Sequence, residues 1–299
     1  MMADTIEGYV TELRAAFAGA DPALVQDAVY DAEEYLRSAA AEGGSTPEAV
    51  ASAIDAYGSP EEIAGAYRDT ERTVTAALRR PAPAKASNPI LRFFGVIADP
   101  GAWGAMFYML LALLTGTLYF TVVVTGLSLS AGLFILIIGV PVALLFIAAV
   151  RAISLAEGRI VEGLLGVRMP RRPRTVGMAG SGTFLDRLKG WFADYRTWTT
   201  MLYMLLMLPL GITYFTFVVT ALSASLAVFV APIWQLLSHQ PFIVNEWGYY
   251  IEPWGAPFFL AGGILGFFLT LWLAKGIGYL HGMFAKVMLV GRFEEGIER

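Results

Sequence analysis

Two long stretches of this chain contain neither lysine nor arginine: the residues between Arg92 and Arg151, and those between Arg196 and Lys275. Beyond Asp99 the first of them has no acid until after Arg151 either. A helix of about 20 apolar residues crosses the hydrocarbon core of a bilayer. Each stretch therefore has room for two crossings, and the chain reads as an all-α membrane protein with spans at about 103–126, 129–150, 198–222 and 256–274. Only 15% of the residues are charged, against about 25% in soluble domains, which agrees with that reading. No charged residue falls within the spans so drawn. Proton- or sodium-coupled transport usually needs one, so this is evidence against that class.

All 21 basic residues lie before the first span, between the second and third, or after the fourth. Basic residues collect on the cytoplasmic side of membrane proteins. The pattern predicts a plasma-membrane protein with both termini in the cytoplasm and both loops that lack basic residues outside.

The membrane part repeats itself. Asp99, Trp103, Tyr108, Gly116, Tyr119, Thr121 and Thr125 recur 95 residues later as Asp194, Trp198, Tyr203, Gly211, Tyr214, Thr216 and Thr220. The tails 151–165 and 275–289 also match, at an offset of 124. Agreement at fixed offsets marks a duplication. Each copy reads as a helical hairpin followed by an amphipathic surface helix. A direct repeat with two spans per copy implies pseudo-two-fold symmetry about the membrane normal.

Residues 1–80 are different in kind, with 15 acidic and 6 basic residues. Asp21-Pro22, Thr46-Pro47 and Ser59-Pro60 each set a capping side chain before a proline suited to the first helical position. Glu62, three residues after Ser59, completes a capping box. Four helices follow, at about 4–18, 22–41, 47–57 and 60–79, each with an apolar stripe. The predicted organisation is an acidic helical domain (1–80), a linker and juxtamembrane helix (81–98), a first hairpin repeat (99–168), a basic linker (169–193), a second repeat (194–291) with an outer loop at 223–255, and a tail (292–299).

The run Asp31-Ala32-Glu33-Glu34-Tyr35-Leu36 and the run from Ala56 to Ala64, which holds Tyr57-Gly58-Ser59-Pro60-Glu61-Glu62, resemble the HAAS domain, a helical signalling module. The resemblance implies a cytoplasmic domain that meets a protein partner of the PadR-like regulator type, with Glu33, Glu34, Glu61 and Glu62 as candidate contacts. The two Asp-x-x-x-Trp starts, the Tyr-Phe-Thr segments and the closing Ala274-Lys275-Gly276 and Tyr279-Leu280-His281 resemble the sensor domain attached to actinobacterial and archaeal signalling proteins. That resemblance implies sensing or signal coupling.

Three sets of residues stand out as candidate sites. Tyr119, Thr121 and Thr125, with their repeats Tyr214, Thr216 and Thr220, offer hydroxyls to a ligand within the bundle; ordinary helix packing is the competing reading. Glu246, Trp247, Tyr249, Tyr250, Glu252 and Trp254 form an aromatic and acidic loop suited to a cationic ligand, or to the headgroup layer. Arg168, Arg171, Arg172 and Arg174 suit anionic lipid, plain topology charge, or docking of the acidic domain, in which case screening weakens the attraction. With no cysteine, two distant histidines and no phosphate-binding glycine loop, no metal, cofactor or catalytic arrangement is expected. The predicted role is a non-enzymatic membrane sensor or signal coupler. An accessory subunit of a membrane complex is the alternative, and a transporter of neutral or lipid-like molecules comes third. The expected partners are membrane lipids, a cytoplasmic regulator or other membrane subunits, and a second copy of the chain; nucleic acid is not expected to bind directly.

Overall fold

A computed structural model of the chain describes residues 5–78, 88–133, 139–172, 194–244 and 247–290. The amino-terminal helices are α1 (Ile6–Ala16), α2 (Pro22–Glu42), α3 (Pro47–Tyr57) and α4 (Pro60–Leu78). They begin where the capping residues predict: Asp21 accepts from the Ala23 amide and Thr46 from the Ala49 amide. Glu62 accepts from both the amide and the hydroxyl of Ser59. Tyr9 and Leu13 of α1 and Phe17 at its C-cap pack with Ala28, Ala32 and Leu36 of α2 and Ile54 of α3 in one apolar core. The Tyr9 hydroxyl donates to the Gly58 carbonyl, and burial pushes that phenol up to about 12.

A short helix, α5 (Pro89–Phe94), and a single 3₁₀ turn lead to four long helices: α6 (Pro100–Leu133), α7 (Gly139–Leu165), α8 (Tyr195–Ser238) and α9 (Ala256–Leu289). All four are long and apolar enough to cross a membrane. The protein is thus an all-helical membrane protein, apart from a three-residue hairpin of β1 (Phe242–Val244) and β2 (Trp247–Tyr249). The helices outrun the predicted spans. α7 and α9 continue through the amphipathic tails without a break, and α8 passes both Pro209 and Pro232 to reach Ser238. At 44 residues, α8 is about 66 Å long, roughly twice the hydrocarbon thickness.

The order of contacts fixes the sense of the helices. Asp99, Ala105 and Tyr108 of the first copy meet Lys275, Gly278 and His281 of α9 in the same order. Ser225 and Phe229 of α8 meet Gly266 and Gly263 of α9 in reverse order. α6 therefore runs with α9 and against α8. This corrects the expected symmetry: the axis relating the two copies crosses α6 and α8 instead of running along them, and the hairpin ends point apart. At the crossing the copies interlock reciprocally. A Cβ on Gly116 would lie 2.4 Å from the Met207 carbonyl oxygen, and one on Gly211 would lie 2.3 Å from that of Ala112. Met207 is the repeat of Ala112 at the same offset of 95, so one close approach is made twice.

Gly116→Ala and Gly211→Ala should each destabilise the bundle, by about 1–3 kcal/mol as overpacking generally does. Gly132→Ala, where nothing lies within 4 Å of the added carbon, should not. Thermal melting in detergent measures the contrast.

Candidate functional site

The tails that the sequence reading placed on the surface supply the most buried polar groups of the bundle. Glu157 on α7 is fully buried, and His281 on α9 is 2% exposed. The offset of 124 that relates the tails also relates these two residues. Four tyrosines close around them, two from each copy. Tyr108 and Tyr203 donate to one carboxylate oxygen of Glu157 at 2.6 and 2.8 Å, and Tyr119 donates to the other at 2.7 Å. The same Tyr108 and Tyr203 hydroxyls lie 2.6 and 3.1 Å from Nε2 of His281, while Tyr214 lies 3.1 Å from Nδ1. Each shared tyrosine therefore touches both the acid and the imidazole.

Counting protons shows what the cluster can hold. Each phenol has one proton to give. With Glu157 ionised it can accept all three from Tyr108, Tyr119 and Tyr203. A neutral His281 protonated on Nε2 then donates to Tyr108, and its Nδ1 accepts from Tyr214. Every proton has an acceptor, and the cluster carries one negative charge. One further proton makes it neutral and turns Nδ1 into a donor toward Tyr214. A single proton thus separates a charged state in which every proton is accepted from a neutral one in which the Tyr214 proton loses its acceptor at Nδ1.

The candidate residues divide against this geometry. Tyr119 and Tyr214 join the network. Thr121, Thr125, Thr216 and Thr220 are exposed on the outside of the bundle, and Thr121 bonds back to the Thr117 carbonyl. Thr121 and Thr216 stand two residues past their tyrosines, about 200° of rotation, which carries them away from the network. Glu157, His281, Tyr108 and Tyr203 were missed as a set; Glu157 lies beyond the uncharged span drawn at 129–150, in the tail that the helix α7 carries on into the bundle. The available signal was the tail repeat, which aligns Glu157-Gly158 with His281-Gly282. In the loop, Tyr250, Glu252 and Trp254 are exposed, and Gln235 exchanges two backbone hydrogen bonds with Ile251 beside them. Glu246 lies outside the described residues, and for Trp247 and Tyr249 the backbone alone is described, pairing with Val244 and Phe242.

The arginine cluster lies against the acidic domain. One Asp27 oxygen accepts from the amides of Arg171 and Arg172 at 2.7 and 2.8 Å; the other meets the Arg168 guanidinium at 3.1 Å. Arg168 also pairs with Glu71, and Arg172 with Asp31 at 2.9 Å. Burial pushes the Asp27 carboxyl up from its ordinary value, opposed by the two amides and by Arg168. From α9, Lys286 reaches Asp21 at 2.5 Å. Arg174 lies outside the described residues. Of the acids singled out for a partner, Glu33 is buried beside Arg37 and Glu62 caps α4, whereas Glu34 and Glu61 are exposed.

A family model described as "Putative sensor" matches residues 108–289, well over half of the 299. The chain belongs to this family. The match begins at Tyr108 and contains all six residues of the buried network. A second model, HAAS, matches residues 8–66, the helices that carry Asp21, Asp27 and Asp31. No match was found among curated proteins or among solved structures.

Tyr119→Phe removes one of three donors to Glu157 and should cost about 1.5–3 kcal/mol, the range for hydrogen bonds to a charged group. Thr121→Val, on the outer face, should cost well under half of that. Paired melting curves of the two variants test the assignment.

Proposed function

We propose that this protein is a non-enzymatic sensor or signal coupler of the plasma membrane, in which the Glu157–His281 cluster sets the relation of α7 to α9 and the HAAS domain reads it. One observation carries this. The two helices that bear the buried acid and imidazole are the two whose ends hold the HAAS domain, α7 through the segment from Arg168 to Arg172 and α9 through Lys286. A change in charge or hydrogen bonding at the cluster acts on both helices at once. Glu34 and Glu61 of the HAAS domain are exposed and are left for a cytoplasmic regulator. Buried Glu157 removes the charge argument against coupled transport; the sensing reading rests on the linkage to the HAAS domain instead.

The charge pattern supports placing the termini and the basic linker in the cytoplasm. The opposite sense of α6 and α8 pulls the other way, because it would set the two hairpin loops, and likewise the start of α6 and the end of α9, on opposite sides. Cysteines at Ser128 and His239, probed with an impermeant maleimide in intact cells, test the packing directly. Antiparallel hairpins leave one of the two unlabelled; labelling of both would favour the charge rule for the loops.

Docking can be followed with Gln26→Cys and Arg172→Cys, which replace residues joined by a 2.8 Å hydrogen bond. Oxidation should trap the docked form in the full-length protein. Glu157→Gln and His281→Gln should each change the trapping rate several-fold, as a coupling of about 1–3 kcal/mol implies. Equal rates in folded variants would remove the link between the cluster and the domain.

A further inference from the structure

Ahead of α6, α5 and the 3₁₀ turn together make a short helical segment, Pro89–Ala98, that is apolar apart from Arg92. It is too short to cross a bilayer, and an apolar segment of such length belongs either in a protein core or in the interface between lipid and water. Burial decides between the two. Ile90 and Leu91 are 64% and 62% exposed, and Ile97 is 49% exposed; beside them Trp103, in the first turn of α6, is 40% exposed. Other residues fix the segment to the bundle. The rings of Phe93 and Phe94 lie 6.0 and 4.8 Å from that of Phe268 on α9, and Val96 is buried with Ala102 and Leu271. Two indoles hold the backbone: Trp272 of α9 donates to the Phe93 carbonyl at 3.0 Å, and Trp103 to the Ile97 carbonyl at 2.8 Å.

We propose that Pro89–Ala98 is a bilayer-surface site, seated where headgroups meet acyl chains, and that lipid packing there is the input to the bundle. Three observations choose lipid as the occupant. The exposed apolar residues are continuous with α6, a helix long and apolar enough to cross a membrane. The segment meets α9 at Trp272 and Phe268, the third and seventh residues before Lys275, where the stretch without basic residues ends. That is about 5 and 10 Å along the helix, the depth at which interfacial helices lie. At the polar edge itself Lys275 pairs with Asp99 at 2.5 Å and stands 5.4 Å from the centre of the Trp272 ring. Tryptophan collects at such edges, and the exposed Arg92 is long enough to reach a headgroup phosphate while its stem stays among the chains. A change in lipid packing displaces the segment, and its hold on Phe268 and Trp272 passes the displacement to the helix that carries His281 and Lys286. This second half rests on the sensing role proposed above; the seat in the interface does not.

The chain has no cysteine, so a single introduced one reports one place. Full-length protein in phosphatidylcholine nanodiscs, spin-labelled at Leu91→Cys, is relaxed with oxygen, which concentrates in lipid, and with a nickel chelate, which stays in water; Glu61→Cys on the HAAS domain is the aqueous control. Oxygen should reach the Leu91 label, and the chelate should reach it several-fold less than it reaches the Glu61 label. Equal access of the chelate to both overturns the seat. So does protection from oxygen and chelate alike, which a second copy or another protein covering the face would give. For the input, the Gln26→Cys and Arg172→Cys pair is oxidised in discs of loosely packed unsaturated and of tightly packed saturated phosphatidylcholine. The trapping rate should differ several-fold between the two, and the difference should vanish when Ile90→Asp and Leu91→Asp are added, exposed positions where melting should not change. A lipid dependence that survives both substitutions overturns the input. Equal rates in the two lipids, with Glu157→Gln still altering them, overturn it too but leave the sensing role standing. Rates that neither lipid nor Glu157→Gln alters overturn both.

Discussion

A fully buried carboxyl group in an apolar bundle governs how the two halves of this protein meet. An ionised acid away from water is costly unless its lone pairs are matched. Glu157 cannot be matched from its own hairpin alone, because Tyr108 and Tyr119 leave it one strong donor short. Tyr203 of the other copy supplies the third. His281 stands in the reciprocal position and takes Tyr108 from the first copy beside Tyr203 and Tyr214 of its own. The halves are thus held by shared phenols, which impose distances of hydrogen-bond length. Gly116 and Gly211 are the steric counterpart. Without a Cβ, each lets a carbonyl of the facing helix come close enough for the tyrosines to span the gap.

From the same two helices the chain builds its contact with the HAAS domain. Isolated surface ion pairs contribute about 0–1 kcal/mol, and the exposed Arg72–Asp69 pair belongs to that kind. Asp27 is different. It is largely buried and takes two backbone amides as well as the Arg168 guanidinium. Removing its carboxylate would strand those donors, which is the costly side of the hydrogen-bond asymmetry. The Arg172 side chain adds an ion pair with Asp31 and lies over the Tyr30 ring, 5.6 Å from its centre. These contacts are geometric enough to register a small shift of α7 relative to α9.

Much of the architecture was legible in the residues. Proline-led caps placed three of the four HAAS helices to within about one residue, because a capping side chain and a restricted φ act locally. Missing charges gave four spans, but not their ends. The run 151–165 has polar residues at helical spacing, and that pattern reads equally as a helix lying on a membrane surface. Only the facing helices determine that Glu157 points inward. For the same reason the threonines and tyrosines of one repeat looked like a set, although two residues along a helix face nearly opposite directions. The docking of Arg168 on Asp27 joins residues 141 apart; local pattern carries no trace of such a pair, and charge sign alone fitted lipid as well. The sense of α6 against α8 was misread because a direct repeat in sequence fixes what each copy is, not how the copies turn toward one another.

The duplication diverged at the position where identity would have been hardest to tolerate. Two glutamates would place two carboxylates around the same pair of tyrosines, and like charges at that range cannot both stay ionised. Two histidines would leave the phenols of Tyr119 and Tyr214 a single ring nitrogen each and put no anion in the cluster. One acid and one imidazole give acceptors and a donor in the right number for four phenols, with one proton deciding between a charged and a neutral core. A symmetric scaffold with one asymmetric substitution thereby acquires two states that differ by one proton and by the direction of the Tyr214–His281 contact, which gives a core whose condition can be changed from outside and read at its ends.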